Sequence, residues 1–183
     1  MPRLAPLDLA NLTPEQQKVA DAIMGGPRGG LGGPFQPWLR SPVLADHAQK
    51  LGEFCRFHSS LPKHLSEFAI ILTGKHWRAQ FEFFAHARMA VEAGLPRETV
   101  EAVRTGATPA FRDDAERAVY VFVTEYFATN RVSDAAYRQA LANLGGERGV
   151  VDLVGIVGYY GLVSMTLNVF DIGLPEGEPL PLA

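Results

Sequence analysis

The chain has 183 residues, of which 47% are hydrophobic and 20% charged, with a formal net charge of −3. That balance belongs to a folded chain rather than a disordered one, and the mild negative charge lacks the clustered Lys and Arg that a nucleic-acid partner demands. The single cysteine, Cys55, excludes an intrachain disulfide, a CxxC redox pair and a cysteine-rich zinc site within one chain; set in Phe54-Cys55-Arg56-Phe57, it reads as an inert buried residue.

The first six residues carry no apolar stretch of the kind a signal peptide needs, so a cytoplasmic protein is expected. Thr13-Pro14-Glu15-Gln16 places Thr at an N-cap, Pro at N1 and Gln at N3, which predicts a helix to about Met24. In 25–37, nine of thirteen residues are Gly or Pro, so this segment reads as a loop. Ser41-Pro42 repeats the cap-plus-proline signal and opens a helix to about His58. Ser60-Leu61-Pro62 opens the next. From Leu65 to Ala93 the pattern stays helical, with Gly94 suited to the C′ position and Thr73-Gly74 a candidate break. Shorter helices are predicted at 97–104, 113–129 and 134–144, the last capped by Ser133, then an apolar helix at 147–170. Residues 173–183 read as an extended arm. With no convincing strand, the class is an all-α bundle in a single domain spanning 1–183.

The apolar run 150–170 is long enough to span a membrane. It carries Asp152 and Asn168 and lacks a basic flank, so the expected role is a central helix buried on nearly all sides, its Gly155, Gly158 and Gly161 allowing close helix approach. No membrane partner is expected. Asp152 opens this helix much as Glu67 opens an earlier one, a weak internal echo.

Chemistry points to 75–86. At about 100° per residue, Lys75, Arg78, Glu82 and His86 fall on one helical stripe about 80° wide, with His76 on the neighbouring face. Glu82 and His86, four apart, can hydrogen-bond, and a carboxylate there raises the imidazole pKa and sets its tautomer. Such a pair beside two cations suits acid–base chemistry on an anion. A solvated face is the plainer reading of charges at this spacing, but Trp77, Phe81, Phe83 and Phe84 point to burial, and a buried polar stripe needs partners. Only two metal ligands stand on this stretch and no HExxH is present, so no metal is expected. Arg28, among glycines, can fork onto a carboxylate; a turn wrapping a neighbouring subunit is the alternative. Tyr159 shares a helix face with Asp152 and Thr166 and is a candidate pocket residue.

These residues together resemble the carboxymuconolactone decarboxylase family, in the alkylhydroperoxidase D-like superfamily. The resemblance covers roughly 3–175 and rests on Gly26-Pro27-Arg28-Gly29-Gly30, Ser60-Leu61-Pro62, Glu67, His76-Trp77-Arg78-Ala79-Gln80, Glu82, His86, Gly94-Leu95, Val132-Ser133-Asp134, Gly158-Tyr159-Tyr160 and Thr166-Leu167-Asn168. Thiol peroxidases of the superfamily carry Glu-x11-Cys-x2-Cys-x3-His; this chain has Glu67-x11-Ala79-x2-Glu82-x3-His86. The outer Glu and His are kept and both cysteines are gone, which argues against thiol peroxidase chemistry. The resemblance implies an AhpD-like helical bundle of two fused repeats and a homotrimer or homohexamer. It also implies a cofactor-free decarboxylase acting on a small carboxylated lactone or a related aromatic-catabolism intermediate. In that role Glu82, His86, His76 and Glu67 are the candidate catalytic groups, and Arg28, Arg78, Trp77 and Tyr159 the candidate substrate-binding ones. A lactone hydrolase or isomerase, or a metabolite-binding protein without turnover, are the alternatives.

Overall fold

The computed structural model describes residues 2–182; Met1 and Ala183 lie outside the described residues. Nine α-helices follow one another among the described residues, which form no strand: α1 (Pro14–Met24), α2 (Phe35–Trp38), α3 (Pro42–Glu53), α4 (Lys63–His76), α5 (Gln80–Glu92), α6 (Arg97–Thr105), α7 (Asp114–Thr129), α8 (Asp134–Asn143) and α9 (Gly146–Val169). The fold is an all-α bundle.

The local signals act where they stand. Thr13 and Gln16 close a reciprocal capping box on α1. Ser133 Oγ accepts from the Ala136 amide at the start of α8, and Gly94, at φ +97°, ends α5 in the left-handed region.

Three features depart from the sequence reading. The Gly/Pro segment is not wholly loop, because its last residues wind into α2, where Trp38 Nε1 donates to Thr166 Oγ1 at 3.0 Å. The helix begun at Pro42 does not run uniformly to His58; its last turn, Phe54–His58, is a π-helix. The long helical stretch breaks after His76, beyond Thr73-Gly74, and the chain reverses through Trp77–Ala79 with Arg78 at φ +51°.

The central helix is α4, not α9. Every residue from Leu65 to Gly74 is buried, and α5, α6, α7 and α9 all pack on it. One helix, α9, is long and apolar enough to cross a membrane by length and composition alone. It lies mostly inside the bundle, yet it keeps one open apolar face: Val151 is 68% and Val154 54% exposed. Its glycines do not serve close packing as expected, since a Cβ at Gly155 or Gly158 would meet nothing within 4 Å. The tight contact is at Gly149, where a Cβ would stand 1.6 Å from the Leu144 carbonyl oxygen, a backbone atom that cannot swing aside. Gly149→Ala should therefore lower the unfolding free energy by about 2 kcal/mol in a urea melt, while Gly155→Ala shows no such loss.

Candidate functional site

The reversal at Trp77–Ala79 lays α5 back against α4 and brings its inner face onto Glu67. His86 Nδ1 lies 2.6 Å from Glu67 Oε2. On the ring's other side, Nε2 stands 3.1 Å from Glu82 Oε1, an ion-pair contact rather than an aligned hydrogen bond. The exposures of Glu67, Glu82 and His86 are 0%, 3% and 6%, so water does little to solvate this charge. Lys63, one turn before Glu67 on α4, reaches in from the surface to within 2.8 Å of Glu67 Oε1. Tyr160 presents an edge-to-face ring to His86, with centroids 5.0 Å apart.

Burial alone would drive the imidazole towards its neutral form, but the Glu82 charge and the Glu67 hydrogen bond outweigh it and hold the His86 pKa at about 9. Burial likewise pushes against the Glu67 carboxylate, and the His86 hydrogen bond, then the charges of His86 and Lys63, bring its pKa below the ordinary value. With His86 raised from 6.5 to about 9, its stabilising contribution is complete below 6.5 and is lost as the pH climbs through about 9. Glu67 has the opposite sign: its contribution holds above 4.5 and fades as the pH falls through its lowered value. An NMR titration of the ring should place the midpoint near 9, and the melting temperature should decline between 6.5 and about 9.

A cavity of about 210 Å³ opens onto the pair, walled by Arg28, Gly33 and Phe35 on one side, Arg56 on the π-helical turn, Phe81, Glu82, His86 and Met89 on α5, and Tyr159 and Tyr160 on α9. The Arg28 guanidinium packs over the Phe35 ring at 5.2 Å. Its Nε and Nη2 are buried with no hydrogen-bond partner among the described residues. Gly52 makes room for it, since a Cβ there would stand 2.0 Å from Tyr159 Oη and 2.4 Å from Arg28 Nη2. The Tyr159 hydroxyl is pushed up to about 12, chiefly by burial, with Arg28 opposing. Cys55 is fully buried, and burial, reinforced by the Asp152 charge, lifts its thiol to about 11, far from a reactive thiolate.

The structure thus gathers Glu82, His86, Arg28 and Tyr159 at one cavity, with Glu67 bonded to His86 from the buried side. It does not bring His76, Trp77 or Arg78 there. The stripe drawn from Lys75 to His86 assumed one unbroken helix; the reversal splits it. His76 stacks flat on Phe127 with centroids 3.9 Å apart, lining a separate cavity with Tyr120, and burial depresses its pKa. Trp77 borders an apolar groove with Tyr126, Val154 and Met165. Arg78 is exposed on the turn, and Lys75 Nζ donates to the Arg104 carbonyl at 2.7 Å. Asp152 accepts from Ser60 N and Oγ at 2.7 and 2.6 Å, which ties α9 to the start of α4. The sequence reading missed Arg56, Lys63 and Tyr160 as site residues. Lys63 carried a signal, its i, i+4 spacing to Glu67, and Arg56 another, a lone cation within an apolar run.

No protein-family model matches the sequence, and no curated protein matches it at a significant level. Among solved structures the chain is similar to an uncharacterized peroxidase-related protein from Ralstonia eutropha JMP134 with an alkylhydroperoxidase AhpD core (TM-score 0.77, 12% identity, covering 96% of this chain and 93% of that one). An uncharacterized peroxidase-related protein from Silicibacter sp. TM1040 is equally similar (TM-score 0.77, 12% identity, covering 96% and 92%). The debrominase Bmp8 has a TM-score of 0.74 and 16% identity, covering 96% and 92%. At such identities the likeness is one of fold: the chain has the AhpD-like all-helical architecture.

Proposed function

We propose that this AhpD-like chain, with Ala79 and Glu82 where the superfamily's thiol peroxidases hold a cysteine pair, is a non-thiol acid–base enzyme that decarboxylates a small carboxylated lactone or a related intermediate of aromatic catabolism. One observation carries this reading: a buried, proton-holding His86 clamped between two carboxylates at the wall of a cavity where Arg28 keeps two N–H groups free. Arg28 Nε and Nη2 form the side-on fork that takes a carboxylate through two parallel hydrogen bonds. As the C–C bond breaks and carbon dioxide leaves, the electron pair passes to the substrate carbon and delocalises towards the lactone carbonyl. Carbon then needs one proton. His86, held protonated beside Glu82 at the cavity wall, is its source, and water restores the proton. Glu67 holds the ring in register from Nδ1, and Phe35 and Phe81 keep the cavity dry. These roles require no cofactor.

The experiment is to supply carboxymuconolactones and related carboxylated lactones and to follow released carbon dioxide together with uptake of ¹⁸O from labelled water. Carbon dioxide release supports decarboxylation. Uptake of ¹⁸O without it marks a lactone hydrolase, and binding with no mass change marks a metabolite-binding protein; either outcome replaces this reading.

Self-association, as a homotrimer or homohexamer, belongs to the same proposal. Its support is the open apolar face of α9, where Val151, Val154 and Met165 are 68%, 54% and 47% exposed beside an apolar groove of about 570 Å³. Sedimentation velocity should show an oligomer that Val154→Glu dissociates by burying a charge in that face.

A further inference from the structure

The proposed reading assigns one anion-binding residue, Arg28. A second guanidinium faces the same cavity. Arg56 sits in the π-helical turn Phe54–His58, a wider turn that shifts the residues following Glu53 out of the α-helical register of α3. Its position is defined: Nη2 donates to Met89 Sδ at 3.0 Å, and the guanidinium lies over Phe57 at 5.1 Å. Its Nε is buried and has no hydrogen-bond partner among the described residues. Leaving a charged donor so placed costs stability unless something else completes it.

The two arginines line the cavity on different supports: Arg28 rests over Phe35, and Arg56 is held by Met89 and Phe57. Around the cavity and its direct partners, four cationic side chains (Arg28, Arg56, Lys63, His86) stand against two carboxylates (Glu67, Glu82), an excess of two positive charges. Asp152 does not line the cavity and is already bonded to Ser60.

We propose that Arg56, placed by the π-helical turn, is a second anion-holding residue, and that it makes the site prefer small ligands with two negatively charged groups over those with one. This deepens the reading of the cavity as an anion site, but it concerns binding and stands apart from the chemistry that follows.

The test uses two acids of equal chain length, succinate and butyrate, titrated into the full-length protein and followed by amide chemical shifts. The wild type should bind succinate about tenfold more tightly than butyrate, the worth of one charge-assisted contact. Arg56→Gln should bring that ratio close to one while butyrate affinity stays within about twofold, and Arg28→Gln should weaken both acids. Arg56→Lys keeps the charge and stem but has no Nε–H, so it should lose most of the preference even if the glutamine variant does not fold. A wild type with no preference, or a ratio unchanged in the Arg56 variants, overturns the proposal. If discrimination persists but no carbon dioxide is released from any lactone, the decarboxylase reading fails and this one stands.

Discussion

Turnover by a His86→Asn protein is expected to fall by about a thousandfold relative to wild type, with substrate affinity within a fewfold. Asparagine is close in size and still donates a hydrogen bond, so the cavity wall survives. What disappears is the group that holds a proton at neutral pH, which Glu82 and Glu67 keep charged up to about 9. In the proposed roles Arg28 and Arg56 hold the ligand's anionic groups and not the transferred proton, so the loss belongs in kcat rather than KM. The wild-type rate should also decline as the pH rises through about 9, as His86 loses its proton; the variant's residual rate should lack that limb. Undiminished carbon dioxide release by a folded His86→Asn protein would remove His86 from the chemistry.

Glu67→Leu is expected to lower the unfolding free energy at pH 7 by about 3–5 kcal/mol, the usual consequence of removing one partner from a buried ion pair. Glu67 has no exposed surface and accepts the 2.6 Å contact from His86 Nδ1. Leucine fills the volume but leaves the ring's N–H unpaired in an apolar wall, and the imidazole gives up its proton instead. The His86 midpoint should then drop towards or below 6.5, so the same variant loses both stability and the alkaline limb of its pH profile. Glu67→Gln separates the two effects: it keeps the hydrogen-bond acceptor, and thus most of the stability, while shedding the charge that raises the pKa. Denaturant melts of the three proteins at pH 6 and pH 9.5 check the sign, since the gap between wild type and Glu67→Leu should narrow at the higher pH.

The helices themselves were legible in the sequence, because their signals are local. A capping serine, threonine or aspartate acts on an amide three residues on, and proline at N1 or glycine at C′ acts on its own backbone. Hence the starts of α1, α7 and α8 and the end of α5 fall within a residue or two of the pattern. The pair Glu82–His86 was legible for the same reason: four residues apart on one helix, the two side chains must be neighbours. The break after His76 was not. Lys75 to Ala79 carries no proline or glycine, and Arg78 takes a left-handed φ of +51° that only the packing of α5 on α4 supports. A wheel drawn through that point placed Arg78 beside Glu82, and His76 and Trp77 near the site, where the reversal sends all three elsewhere.

Periodicity, caps and composition thus settled that the chain is a helical bundle, and that a carboxylate and an imidazole share a turn of α5. They also excluded a disulfide or thiol-pair protein, since a single cysteine has no partner. Tertiary structure decided everything that depends on distant segments meeting. It set Glu67 against the other side of His86 and turned Arg28 and Arg56, from two separate loops and turns, onto one cavity. It buried α4 rather than α9 at the centre. The reason is physical: hydrogen bonds within a turn span three or four residues and are written in local spacing, as is the Glu82 charge beside His86, whereas the second carboxylate that grips the ring lies 19 residues away, joined to it only once two helices have packed and excluded water.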